Sequence, residues 1–289
     1  MAQSQFVPQT PVEVLAPELD MTSLLAKTAE IEELFKIAFI PTERASQYFR
    51  WLDELRLLKQ CGRAIGPRDV GKTRASIHYR TEDAKRVSYV KAWSNSSSRR
   101  LFSQILKDID HAAPKGRRED LRQRLAGCLE PFGIEILIID NADNLQREVL
   151  VDLKHLHETS GVPIILAGDY ALDSMLQNHD FRECYPTLFE FDPLDEEDFA
   201  KTLRAIEVDI LDLPHVSNLA EGTMFETLAT HTGARMGRVL KILTKAVLHS
   251  LKKGHGKVDE GILLNIANRY GRQYIPLEVR NKNKEEEAK

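Results

Sequence analysis

Gly66-Pro67-Arg68-Asp69-Val70-Gly71-Lys72-Thr73 has the residue types and the spacing to hold a polyphosphate. It is a complete G-x-x-x-x-G-K-[ST] loop. A polyphosphate needs many hydrogen-bond donors in a small concave space. A sharply bent loop turns its backbone N–H groups inward, and the helix that follows adds its positive dipole end. Gly66 and Gly71 allow the tight path, and Pro67, Arg68, Asp69 and Val70 supply the backbone between them. Lys72 is expected to reach the β- and γ-phosphates and Thr73 to offer its hydroxyl to Mg²⁺, with Arg74 next on the first helical turn. The plain alternative is a glycine-containing turn before an ordinary helix.

A nucleotide site of this kind also needs a carboxylate for the metal at the end of a buried strand. Ile134-Glu135-Ile136-Leu137-Ile138-Ile139-Asp140 reads that way. A short, nearly continuous apolar run suits a strand covered on both faces. Asp140 stands at its C-terminal end, where open α/β sheets bind ligands. This is a Walker B pattern; the alternative is a core strand ending in a helix-capping Asp. A third strand, Val162 to Asp169, ends on Asp169, which either faces the γ-phosphate or caps the helix near Tyr170.

The elements that position these residues follow from periodicity. The 289 residues, 42% of them hydrophobic, suffice for one large domain or two modest ones. No apolar run approaches the ~20 residues of a membrane span, and the N-terminus has no secretory pattern. Cys61, Cys128 and Cys184 show neither a metal spacing nor a disulfide framework, which points to the cytoplasm. His155 and His157 read as surface residues. The net charge of −4 argues against bulk nucleic-acid binding but leaves room for a local basic stripe.

Residues 1–18 read as an extended arm. An amphipathic helix is expected over Thr22 to Phe39, with Leu24, Leu25, Ile31, Leu34, Phe35 and Ala38 apolar. A second, capped by Thr42, runs Ala45 to Lys59. Strands are expected at Arg63 to Ile65, Val87 to Ala92 and Thr187 to Phe191, besides the two above. Helices are expected at Arg100 to Ile109, Leu121 to Leu129 and Leu145 to Thr159, with a basic turn over Ala112 to Asp120. Strands alternating with helices make a parallel α/β sheet. After Pro193 only helical periods remain, as in Phe199, Leu203 and Ile206 or Val239, Leu243 and Val247. Residues 19–193 are therefore expected to form the nucleotide-binding α/β domain, 194–275 an all-helical lid, and 276–289 a flexible charged tail.

A P-loop α/β domain followed by a helical lid is the AAA+ arrangement. Within that superfamily the sequence resembles the TniB/TnsC-like transposition ATPases over roughly residues 40 to 270. The resemblance is carried by Ile40-Pro41-Thr42, the phosphate loop, Ile136 to Asp143 and Leu166-Ala167-Gly168. In the lid it is carried by Leu194 to Phe199, Leu213-Pro214 and Thr232-Gly233-Ala234-Arg235-Met236-Gly237-Arg238.

The resemblance implies ATP with Mg²⁺, held in part by Thr73 and Asp140, and ATP-dependent assembly on double-stranded DNA as a ring or helical filament. It implies a link between a target-selecting protein and a transposase. Asp169 would hold the sensor 1 position, and Arg235 or Arg238 would be sensor 2. Arg182 matches the arginine-finger position that serves a neighbouring subunit; its alternative is a surface salt bridge. Ser97, Arg99, Arg100, Lys115, Arg117 and Arg118 are the expected DNA contacts, to phosphates and without sequence information; the alternative is a solvated basic face. One position departs from the AAA+ pattern. Asn141 follows Asp140 where a Glu usually polarises the attacking water, and an amide cannot accept a proton. Asp143 is the nearest other acid, so slow hydrolysis is expected. Competing readings are an ATP-gated scaffold without relevant turnover, a secretion or replication-initiation AAA+ protein, and a metabolic P-loop kinase. The helical C-terminal third argues against the kinase.

Overall fold

The side chains of two adjacent strands divide between two cores, and this division sets the architecture. In β3 (Ile136–Asp140) and β4 (Ile164–Gly168) every residue is buried. Successive strand residues point to opposite faces. Leu137, Ile139, Ile164 and Leu166 accordingly join one apolar cluster, and Ile136, Ile138, Ile165 and Ala167 join another. A sheet apolar on both faces must be covered on both.

The computed structural model describes residues 39–271 throughout and, in a helical stretch ahead of them, residues 22, 26, 29–31 and 33–35. The expected arm and tail lie outside the described residues, as do Leu24, Leu25 and Ala38. Ile31 and Phe35 are buried as expected, whereas Leu34 is exposed.

Three more strands complete the sheet: β1 (Gly62–Ile65), β2 (Val87–Lys91) and β5 (Thr187–Glu190). The order is β2-β3-β4-β1-β5 and every pairing is parallel. One face is covered by α1 (Glu43–Leu58) and α2 (Lys72–Glu82). Thr42 caps α1 through Ala45 N at 3.2 Å. The other face is covered by α3 (Ser98–Asp108), α4 (Arg118–Cys128), α5 (Arg147–Ser160) and α6 (Tyr170–Asn178). β1 borders both β4 and β5, so the loop that leaves its end emerges from an interior strand. That placement puts residues 66–73 beside the ends of β3 and β4.

From Glu196 on, the described residues form helices joined by loops, with no strand among them. They form α7 (Glu196–Ala205), a π-helical turn (Ile206–Leu211), α8 (Gly222–Thr232), α9 (Met236–Lys252) and α10 (Glu260–Gly271). They have their own core, with Phe199, Leu203, Leu228 and Leu243 among its buried members, and Ile31 and Phe35 pack into it. Fully burying one such side chain stabilises by about 1.5–3 kcal/mol. The architecture is a five-stranded parallel sheet covered on both faces, with a helical C-terminal region. One expected turn is shorter than its sequence suggests. The helix after the basic segment starts at Arg118 and not at Leu121, because Asp120 accepts from Arg117 N at 3.4 Å and Arg118 is pinned by an ion pair.

Candidate nucleotide site

The phosphate loop takes its tight path because its first residue has no side chain. A Cβ on Gly66 would stand 2.2 Å from the Phe191 carbonyl oxygen. Lys72 follows as the first residue of α2, and its Nζ donates to the carbonyls of Gly66 at 2.6 Å and Pro67 at 2.8 Å. Burial pushes the Lys72 ammonium down to about 8, while the carboxylates of Asp140, Asp169, Asp143 and Asp69 oppose the shift. A cation held at a helix N-terminus among desolvating walls lacks a full counter-charge, and a polyphosphate would supply one. Arg74 lines the same cleft as Lys72 and Thr73. Its guanidinium donates to the Phe35 carbonyl, and burial lowers its pKa.

The Thr73–Asp140 pair is assembled from the start of α2 and the end of β3. Thr73 Oγ1 donates to Asp140 Oδ2 at 2.6 Å, and Tyr89 OH, from β2, donates to the same oxygen at 2.9 Å. Asp140 is buried, with its other oxygen accepting from Asn141 N at 2.9 Å. A threonine hydroxyl touching a carboxylate at the foot of a phosphate loop fits an octahedral oxygen-liganded ion such as Mg²⁺. Bound there, Mg²⁺ would neutralise phosphate charge, with Thr73 and Asp140 as its holders. Among the described residues no group of three or more His, Cys, Asp or Glu is arranged to hold a metal.

The loop opens onto a cleft of about 640 Å³. Asn141, Asp143 and Asp169 all line it beside Lys72 and Asp140. Asn141 has a φ of 55°, a left-handed conformation that Asn tolerates. Asp143 Oδ1 accepts from Asp169 N at 3.4 Å, which joins the ends of β3 and β4. Asp169 caps α6 through Ala171 N at 3.0 Å, and its other oxygen accepts from Arg68 Nε at 3.2 Å at the cleft.

The far wall is apolar and comes from the chain ahead of α1 and from the helical region. It includes Phe35, Phe39, Ile40, Leu194, Met236 and Leu240. α9 meets the phosphate loop directly. Gly237 N donates to the Asp69 carbonyl at 2.7 Å, and Lys241 Nζ donates to Asp69 Oδ1 at 3.0 Å. A Cβ on Gly237 would lie 2.9 Å from the Asp69 Cβ. Met236, Gly237 and Leu240 line the cleft, whereas Arg235 and Arg238, on either side, are not among its lining residues.

Arg182 lies outside this cleft, in the 3-10 turn Arg182–Cys184 ahead of β5. It is exposed and pairs with Asp173 at 3.4 Å.

The basic residues fall into unlike environments. Ser97 caps α3 through Arg100 N at 3.4 Å. Arg99 Nε donates to the Gly116 carbonyl at 3.0 Å, so the start of α3 and the turn holding Lys115 and Arg117 are neighbours. Arg100 lies over the exposed Trp93 ring at 5.5 Å, a cation–π contact. Arg118 differs: Nε and Nη2 grip both oxygens of buried Asp152 at 2.7 and 2.8 Å. Its charge is already matched, which sets it apart from Arg99 and Arg100 as a phosphate contact. The reason is tertiary, since Asp152 arrives from α5.

The contacts made by three residues at the site had no local signal. Tyr89 looks like any aromatic strand residue until β2 pairs with β3. Gly237 stands inside the lid motif but shows its use only against Asp69. Asp69 reads as a generic loop position, yet it has a φ of 70° and carries both contacts to α9.

Comparisons with known proteins accord with this geometry. A family model described as an AAA domain matches residues 56–176. The Mu-like prophage FluMu DNA transposition protein B of Haemophilus influenzae is 27% identical over 133 residues. That match covers 46% of this chain and 46% of the relative, so the chain spans about half the length of the relative it matches. Cdc6p from Pyrobaculum aerophilum superposes with a TM-score of 0.59 at 16% identity, covering 78% of this chain and 68% of that one. The Aeropyrum pernix ORC2 protein, solved as ADPNP–ADP complexes, gives 0.59 at 14% identity over 92% and 72%. The Thermotoga maritima RuvB Holliday junction branch migration motor gives 0.52 at 14% over 80% and 70%. At these identities the solved structures speak to the fold.

Proposed function

We propose that this chain is a AAA+ P-loop protein of the TniB/TnsC-like kind and acts as an ATP-dependent adaptor of DNA transposition. It assembles on double-stranded DNA as a ring or filament, links target selection to a transposase, and hydrolyses ATP slowly. The observation that carries the reading is the cleft itself. One wall holds the phosphate loop and the Thr73–Asp140 pair, and the other holds the first turn of α9. A nucleotide filling it would contact both parts of the chain at once. ATP would then set how α9 sits on the core, the usual requirement for a nucleotide-gated assembly.

In this reading Lys72 and the loop amides bind the phosphates, and Thr73 and Asp140 hold the ion. Asn141 orients water without taking its proton, and Asp143 and Asp169 frame the γ-phosphate end. Arg182 reaches a neighbouring subunit's nucleotide. Arg235 or Arg238 serves as sensor 2 once the cleft is filled. The DNA reading is supported by the transposition relative and by the apposition of Arg99 with the Lys115–Arg117 turn.

The test is assembly on duplex DNA with and without a non-hydrolysable ATP analogue, read by negative-stain images and by sedimentation across a salt series. Ordered assemblies should need both ligands. Apparent affinity should fall steeply with salt, and changing Arg99 and Arg100 to Ala should flatten the slope for all sequences alike. Assembly indifferent to nucleotide, or to DNA, would refute the proposal.

A further inference from the structure

β1 carries a charge in the middle of the sheet. Arg63 is 4% exposed, between β4 and β5. A buried guanidinium is costly unless its donors are met. Nε donates to Asp173 Oδ1 at 2.8 Å, and Nη1 donates to the Tyr185 carbonyl and, at 3.0 Å, to the Pro186 carbonyl. With acceptors on α6 and on the chain entering β5, Arg63 has no room to swing.

Asp173 is thereby divided. One oxygen is fixed to Arg63, and the other takes the exposed Arg182 guanidinium at 3.4 Å. An ordinary surface pair is worth ~0–1 kcal/mol because two long side chains must be held still. Here one partner is already immobile, so the entropy lost falls on Arg182 alone. Asp173 also lies one helical turn beyond Asp169, which caps the same helix and lines the chain's own cleft.

We infer that Asp173, braced on Arg63, is a positioning residue that aims Arg182 toward the nucleotide of a neighbouring subunit. The inference rests on the reading of Arg182 as the residue that completes that site. It adds a link between the two, since Asp169 at one end of a turn answers to the chain's own nucleotide and Asp173 at the other holds the arginine offered to the next.

The experiment measures ATP affinity of the full chain and single-turnover hydrolysis on duplex DNA for the native protein, Asp173→Asn, Arg182→Ala and the double variant. Asp173→Asn should leave ATP affinity within about twofold and slow hydrolysis about 10²-fold, the scale for a catalytic group misplaced by about 1 Å. Arg182→Ala should slow it at least as much, and the double variant should be no slower than Arg182→Ala. If Arg182→Ala hydrolyses normally, the reading of Arg182 fails and the inference with it. If Arg182→Ala is slow while Asp173→Asn is native, the arginine reading stands and Asp173 is not its positioner. A double variant much slower than both would give Asp173 a separate role and overturn the inference as well. Should Asp173→Asn fail to fold with Arg63 left uncompensated, Arg63→Met with Asp173→Leu removes both charges together. Native turnover in that variant overturns the inference, and a loss like that of Arg182→Ala supports it.

Discussion

At the proposed site, Lys72 would make ATP binding a titration. Its ammonium is pushed down to about 8, chiefly by burial, from an ordinary value of 10.5. The folded chain therefore binds fewer protons at this site than the unfolded chain between about pH 8 and pH 10.5. Its stability without nucleotide should rise with pH across that window. ATP reverses the preference, because the tetra-anionic phosphates favour the charged amine and draw its pKa upward. The terminal phosphate of a monoester ionises near pH ~6, so its own titration is finished before the window opens. With a free-state value of about 8, Lys72 is roughly 90% protonated at pH 7 and roughly 10% at pH 9. If the complex keeps the proton, affinity falls about tenfold, or about 1.4 kcal/mol, over that interval. The assay is calorimetric titration of ATP at pH 7, 8 and 9 in two buffers of unlike ionisation enthalpy. Proton uptake should be about half a proton per ATP at pH 8 and about 0.9 at pH 9. Lys72→Arg keeps a cation that does not titrate in this range and should flatten the profile. Proton uptake that persists in Lys72→Arg, or a flat profile in the native protein, would refute the argument.

Three further outcomes are expected. Asn141→Glu should speed hydrolysis by about 10²-fold or more, since it restores a base beside Asp140; rapid turnover in the native protein that Asp143→Asn abolishes would make Asp143 the base instead, as rate measurements with DNA will tell. Gly237→Val should push α9 off Asp69 at a cost of about 1–3 kcal/mol and weaken ATP binding without unfolding the sheet, which calorimetry and circular dichroism separate. Arg118→Ala should lower stability by about 1.5–3 kcal/mol through loss of charged hydrogen bonds, with little effect on DNA affinity. Burial raises the Asp152 carboxyl, but its hydrogen bonds to Arg118 and Ser98 outweigh that and leave it below the ordinary carboxylate range. Its stabilisation is therefore present above the unfolded-state pKa near 4 and lost as pH falls through the folded value, so native and Arg118→Ala melting curves should converge in acid.

Local rules made the phosphate loop, the buried strand ending at Asp140 and the helical character after Pro193 legible in the sequence. Each is written in consecutive residues: a glycine spacing, an apolar run, a 3.6-residue period. The parallel α/β class followed, because alternating strands and helices leave few other ways to cover a sheet on both faces. Partners brought by distant segments were not legible. Asp152 matches Arg118 from another helix, Tyr89 reaches Asp140 only after β2 pairs with β3, and Arg63 sits in a strand that looks weak until Asp173 and the Tyr185 and Pro186 carbonyls surround it. Gly237 meets Asp69 across 168 positions of chain, a contact no local pattern encodes. Residue type fixes what a side chain could do at short range. What neutralises a charge or meets a donor depends on which segments the packed sheet brings within about 3 Å, and that is decided by tertiary structure alone.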